Sequence, residues 1–369
     1  MSTAAPARRP ARPTRPRRFV NAVAGLVACT SAILGCTAEP EPTESGSASS
    51  AFLALAGEAG STCVAISAAG STIVEQSTNE DAAVRAFSIT KSVTSLLIGI
   101  AQDDGSLRIE DAVADFVPSW RDTASSAVTI EDLLANTSGR EWDSRTDYRE
   151  MALEAQDKTA FAIALGQESR PDTEWVYNNS AIQVLEAVLE AATGRPVAEF
   201  ARTRMFEPLG MDSSRIEADA AGNANLFAGL WTTCADLVRL GDLVLSGGLA
   251  SSGTRVVSAE YIEQATGGPS TDLNAAYGLL WWLNRDGTAV TPEVATSGRG
   301  GVVDAPLVPV ASADTIWALG LNDQVLAILP SEQAVAVRLG GRPAKDSGFS
   351  LRSFTAGALS VLEQSRPNP

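Results

Sequence analysis

Ser88-Ile89-Thr90-Lys91 is the tetrad in this sequence best suited to covalent chemistry. A serine hydroxyl is a weak nucleophile until a neighbour takes its proton. On a helix, positions i and i+3 share a face, so Lys91 can reach Ser88. At a helix N-terminus, Ser88 would also sit among free backbone N–H groups and the positive end of the dipole, which favour anions. A desolvated lysine can lose its proton near neutrality, whereas arginine cannot. Lysine is scarce here: Lys91, Lys158 and Lys345 are the only three, and Lys91 alone has a serine three residues before it. The second set is Tyr177-Asn178-Asn179, the chain's only Tyr-x-Asn. A phenol beside an ammonium can be held as phenolate and serve as a base. The Asn179 amide could bond both Lys91 and a substrate carbonyl. Each set also has a bland explanation: a capped helix with a solvated lysine, or a loop tyrosine before an Asn-capped helix.

Composition narrows the chemistry. The 369 residues are 45% hydrophobic and contain no histidine. Imidazole-based triads and His-ligated zinc are therefore excluded, and acid–base work falls to Lys, Tyr, Asp or Glu. No cofactor and no metal site is expected. Six of the 28 basic residues are arginines before position 36, and no acid precedes Glu39. The remaining body carries 22 basic against 44 acidic residues, which argues against nucleic acid as a partner.

These residues need elements to hold them. Val93, Leu96, Leu97, Ile100 and Ala101 recur at helical spacing, so a helix is expected over 88–102, stopped by Asp103-Asp104-Gly105. Thr62–Ile66 and Thr72–Glu75 read as a hairpin around Ala-Ala-Gly at 68–70. Thr129 with Asp132 is a capping arrangement for Ile130–Ala135. Ala181–Ala192 and Ala235–Ser246 read as amphipathic helices. Tyr277–Leu283, Thr315–Ala318, Val325–Leu329 and Ala334–Leu339 look like strands, and Phe349–Leu362 like a closing helix. Residues 286–312 read as a long loop. Trp281 and Trp282 should face opposite sides of their strand, one toward a cleft and one into the core. Strands at both ends with helices between predict an α+β fold: one sheet built from the two termini, plus an inserted, mainly helical lobe at about 106–250.

Several segments in order resemble the serine β-lactamase and penicillin-binding-protein superfamily, and within it the class C-like hydrolases that include esterases and 6-aminohexanoate-dimer hydrolases. They are Phe87–Ser92 with Leu96–Ala101, Thr129–Gly139, Pro171–Asn179, Glu199–Met211 and Ala228–Leu237. The likeness spans roughly residues 55–365. It implies a β-lactamase-like antiparallel sheet flanked by helices. It also implies that Ser88 is acylated, that Lys91 and Tyr177 shuttle the proton, and that Asn179 supports them. The substrate would be a small-molecule or peptide amide or ester. The sequence departs from the family at the third motif, usually Lys-Thr-Gly or His-x-Gly. Ala318-Leu319-Gly320 stands there, so Gly320 would let substrate backbone approach and the Leu321 N–H would be the second oxyanion donor, while the side chain that holds a substrate carboxylate is absent. This favours neutral esters or amides, or a compensating Arg299. Thr296-Ser297-Gly298 is a rival third motif, and Ser77-Thr78-Asn79 imitates another family form. The same departure motivates an alternative, an inactive penicillin-binding-like protein that binds cell-wall peptides or a partner.

The N-terminus reads as an address. Residues 1–18 are Arg- and Pro-rich, and 19–35 are apolar and small, as in an export signal. Ile33-Leu34-Gly35-Cys36 resembles a lipobox with Cys36 as the lipidated residue, and Leu26–Cys29 fits less well. The expected layout is a signal over 1–35, a disordered tether over 36–52, and a hydrolase domain over 53–369, exported and anchored by lipid only on the outer face of the cytoplasmic membrane. Cys63 and Cys234 remain in the body, either as a disulfide or as two buried thiols.

Overall fold

The first and last strands of the chain lie side by side in the computed structural model, which describes residues 45–78, 82–297, 302–304 and 306–366. Strands β1 (Ser61–Ala68) and β2 (Ser71–Ser77) form the expected hairpin, turned by Ala69 and Gly70, both at positive φ. β1 then pairs antiparallel with β11 (Ala334–Gly340). The six-stranded sheet runs β2-β1-β11-β10-β9-β6, with β6 at Trp282–Leu283, β9 at Ile316–Gly320 and β10 at Gln324–Leu329. β10 is buried throughout and β11 nearly so, because helices cover both faces.

Register shows which helix covers which face. Trp317, Ala327 and Ala336 are cross-strand partners and point one way. Trp317 Nε1 donates to Thr355 Oγ1 of α12 (Leu351–Ser365), so α12 lies on that face. Val335 points the other way, against Gly241 of α9 (Cys234–Leu245), where a Cβ would fall 2.6 Å from its methyls. α2 (Ile89–Asp103) packs beside α9 against β9 and β10. Cys63 and Cys234 meet on the α9 face as a disulfide, Cα atoms 6.1 Å apart.

The first helix, α1 (Ser45–Glu58), begins inside the stretch read as tether. Its Phe52 is buried against Phe354 of α12, ring centroids 5.4 Å apart, which is why this Ser- and Ala-rich segment is structured. Expectations for residues 1–36, Cys36 included, lie outside the described residues.

The helical insertion holds α3 (Val113–Phe116), α4 (Ile130–Ala135), α5 (Lys158–Ala164), α6 (Asn179–Thr193), α7 (Val197–Ala201) and α8 (Glu207–Leu209). Thr129 and Asp132 form the expected capping box on α4. A π-helical stretch, Thr146–Glu154, was not foreseen. α9 falls within the lobe by position but lies on the sheet. A second sheet of three strands, β3 (Val84–Phe87), β5 (Leu230–Thr232) and β4 (Arg215–Ile216), was missed because its strands are two to four residues long. Tyr277–Leu283 is not one strand: only β6 is extended, Leu280 takes φ 64°, and Tyr277 bridges back to Trp282. The long loop holds a two-stranded ribbon, β7 (Thr288–Ala289) with β8 (Val303–Asp304), and α11 (Pro292–Ser297). α10 (Ala259–Thr266) packs on α2.

Candidate active site

The chain leaves β3 through a kink. The register slips between Arg85 and Phe87, and Phe87 takes φ 49°, a costly conformation for a non-glycine residue. This turns Ser88 out of the strand and onto the N-cap of α2. Its side chain makes no capping bond, so the hydroxyl is left for other work. Small hydroxyls around it lock the helix start: Thr90 Oγ1 donates to Phe87 O and receives the Leu230 N–H, while Thr94 Oγ1 donates to Leu226 O.

Lys91 is fully buried one turn along. Its Nζ lies 2.9 Å from Ser88 Oγ and 2.9 Å from Phe227 O, and 4.8 Å above the Tyr177 ring. Burial pulls Lys91 from 10.5 down to about 7, with the charge of Asp147 opposing. The amine is thus substantially neutral at pH 7 and can take the serine proton. The phenol of Tyr177 is hydrogen-bonded with Ser88. Burial pushes it well above 10, so at neutral pH it is a protonated phenol. The phenolate expected from a neighbouring ammonium is therefore corrected: that ammonium itself gives way first, and low-dielectric surroundings disfavour the anion.

Asn179 is also placed differently. Its amide donates to Asp147 Oδ2 at 2.6 Å, and its side chain is buried. Gly320 comes against the chain just before Ser88, and Leu321 follows it. A Cβ on Gly320 would sit 2.2 Å from Ala86 O, two residues before Ser88, so only glycine fits there. Leu321 opens the tight turn between β9 and β10, with Asn322 and Asp323 at positive φ, and its side chain is 61% exposed. Ala318 is buried, and its side chain carries no charge. Arg85 is the cation beside the kink, but its Nε donates to Ala228 O and its guanidinium lies over the Phe87 ring. Arg299 and Gly298 lie outside the described residues, as does Asn79. Ser77 ends the outer strand β2, far across the sheet from β9.

Trp282 stacks on Tyr177 at 5.9 Å, and Trp175 and Tyr277 close round the same ring. Trp281 and Trp282 are both buried, and because Trp281 lies outside β6 the expected alternation along one strand does not apply to it. Sequence reasoning missed Asp147 and Phe227. The second contributes a backbone carbonyl, which no residue type signals. Among the described residues no group of three or more His, Cys, Asp or Glu side chains is arranged to hold a metal ion.

The chain has relatives among known proteins. The family model described as Beta-lactamase matches residues 51–352. Penicillin-binding protein 4 of Amycolatopsis lactamdurans is 29% identical over 210 residues, 48% of this chain and 55% of that protein. The 6-aminohexanoate-dimer hydrolase of Paenarthrobacter ureafaciens is 24% identical over 71% of this chain and 67% of its own. The chain thus spans little more than half of the former. Among solved structures, the beta-lactamase/D-alanine carboxypeptidase of Pseudomonas syringae superposes with a TM-score of 0.61 at 16% identity, covering 88% of this chain and 99% of that one, a likeness of fold.

Proposed function

Because the chain belongs to the beta-lactamase family, we propose that it is a serine hydrolase that cleaves an ester or amide through an acyl-enzyme on Ser88. The observation that carries this reading is the 2.9 Å contact between Ser88 Oγ and a buried, readily neutralised Lys91. Ser88 Oγ attacks the substrate carbonyl carbon while its proton passes to Lys91 Nζ. The new oxyanion is received by the Ser88 N–H at the start of α2 and by the Leu321 N–H beyond Gly320. Tyr177, bonded to Ser88 and lying against Lys91, donates a proton to the departing alkoxide or amine and is reprotonated from Lys91. Water then attacks the acyl carbon by the reverse relay, freeing the acid and Ser88.

A neutral substrate suits the site best. Ala318 offers no charge to a substrate carboxylate, and Leu321 presents an apolar side chain beside it. Export of the protein and lipid anchoring at Cys36 belong to the same reading and rest on residues 1–36.

The test is mass spectrometry after treatment with a neutral alkyl phosphonate ester. An adduct on Ser88, forming faster as pH rises through about 7, is expected, and none with Ser88→Ala. A wild-type protein that takes no label and turns over no p-nitrophenyl ester would support the alternative of a non-catalytic peptide binder.

A further inference from the structure

We propose that Trp282 is a positioning residue of this site: its indole, carried by the sheet, braces the ring of Tyr177 so that the phenol is aimed at the departing group. The inference rests on the hydrolase reading for its purpose, but not for its physics.

Tyr177 belongs to the helical insertion, whereas Ser88 and Gly320 come with the strands, so something must register the one against the other. The backbone around Tyr177 is pinned on both sides. Asn136, at the left-handed C-cap of α4, accepts the Val176 N–H on its main-chain oxygen at 2.9 Å and the Asn178 N–H on Oδ1 at 3.2 Å. One residue further on, the Asn179 amide and the Ser180 N–H donate to the Asp147 carboxylate at 2.6 and 2.8 Å. These bonds fix the main chain and leave the torsions of the Tyr177 side chain to be set by what surrounds the ring.

Three rings surround it. Trp282 lies nearly parallel to it, 5.9 Å away at 29°; Tyr277 meets it edge-on, 6.3 Å away at 85°; Trp175 lies 6.3 Å away at 38°. Both the stacked and the edge-on arrangement are favourable for aromatic pairs. Lys91 Nζ also lies over the ring, 4.8 Å from its centre. The three rings differ in what they are fastened to. Trp175 is two residues from Tyr177 on the same segment, so it moves with that segment. Tyr277 bridges back to Trp282 and packs on it at 4.9 Å. Trp282 alone of the three sits in a strand of the main sheet, β6, where it pairs with Trp317 of β9. β9 ends at Gly320, against Ala86 O just before Ser88. One strand pair thus sets both the proposed oxyanion donor beyond Gly320 and, through Trp282, the proposed proton donor. Burial among these rings pushes the Tyr177 phenol up, so it meets the substrate protonated. A misplacement of about 1 Å in such a group costs about 10²-fold in rate.

Trp282→Leu and Trp282→Met remove the aromatic face, and Trp282→Phe keeps a ring there. The first readout is kcat/KM, which reports acylation, for the ethyl and p-nitrophenyl esters of one neutral acid. Nitrophenoxide leaves unaided, whereas ethoxide must be handed a proton. In a folded face-free variant the ethyl ester should lose about 30-fold or more and the p-nitrophenyl ester less than about threefold. Trp282→Phe should recover most of the loss. Equal losses on the two esters would overturn the proposal and leave Trp282 as core packing. The second readout needs no turnover: NMR of protein carrying ring ε-13C tyrosine, which has only Tyr148, Tyr177, Tyr261 and Tyr277 to resolve, with Tyr177 assigned from Tyr177→Phe. A braced ring gives two ε signals and a freely turning ring gives one. Two are expected for wild type and Trp282→Phe, and one for Trp282→Leu and Trp282→Met. A Tyr177 ring that turns freely in wild type, or that stays braced without the Trp282 face, would overturn the proposal. Wild-type protein that hydrolyses neither ester would instead defeat the hydrolase reading, and the ring signals would still decide the brace.

Discussion

Lys91 and Arg338 are both cations with fully buried side chains, and the fold treats them in opposite ways. Arg338, on β11, uses all five of its N–H groups. Nε donates to Ser61 Oγ, Nη1 to Asn322 O and Asp323 O, and Nη2 to Ala59 O and Gly341 O. Burial lowers it only to about 10, so it stays charged at neutrality. Lys91 has two partners, and one of them is the hydroxyl it is proposed to deprotonate. A buried cation with every hydrogen bond made is a clamp; one left under-solvated gives up its proton and becomes a base. The two also divide the labour of the candidate site. Lys91 stands at the nucleophile, and Arg338 holds the backbone of the turn that carries Leu321, the second proposed oxyanion donor.

The largest effect should come from removing the base. Lys91→Met keeps the length and burial of the side chain and loses the amine. Hydrolysis of a neutral p-nitrophenyl ester should fall about 10⁴-fold in kcat/KM, with the fold retained by circular dichroism. A loss under tenfold would mean that Lys91 is another clamp and that the contrast with Arg338 is false.

Breaking the clamp should be felt in stability first. Arg338→Met strands five acceptors, four of them backbone carbonyls, and should lower unfolding free energy by about 3–5 kcal/mol in urea titration. Arg338→Lys should recover only part, because three donors on a flexible stem cannot span Ser61, Ala59 and the Asn322–Asp323 turn. Full recovery by lysine would show that charge, and not the planar fork, holds the turn.

The sequence made one side of this contrast readable and hid the other. Ser88 and Lys91 were legible because their partnership is local, three residues on one helix, in a chain with only three lysines. The Thr129–Asp132 cap and the hairpin at 68–70 were legible for the same reason. The sheet built from both termini followed from the apolar runs of β10 and β11. Arg338 sits in one of those runs as a lone charge, yet its partners come from residues 59–61, 322–323 and 341, which only the folded sheet gathers. Asp147 lies 56 residues beyond Lys91 in an irregular helix, without a motif to mark it. The Cys63–Cys234 pairing stayed open because a separation of 171 residues carries no distance. The state of Tyr177 was misjudged because burial, which decides it, is a property of the packed Trp175, Tyr277 and Trp282 and not of the Tyr-x-Asn triplet.

The finest test of the contrast is thermodynamic. A lysine that titrates near 7 when folded and near 10.5 when unfolded opposes folding by about 5 kcal/mol below pH 7. Between those values the unfolded chain binds the extra proton, so the slope of stability against pH is positive and the penalty fades as pH rises. Lys91→Met lacks this term. Its stability advantage over wild type should therefore shrink by about 2–3 kcal/mol between pH 6 and pH 9, read from urea midpoints at each pH. Arg338→Met should show no such change, because Arg338 stays largely protonated across that range. An advantage for Lys91→Met that is flat with pH would mean that Lys91 keeps its proton in the folded protein, as Arg338 does, and could not serve as the base.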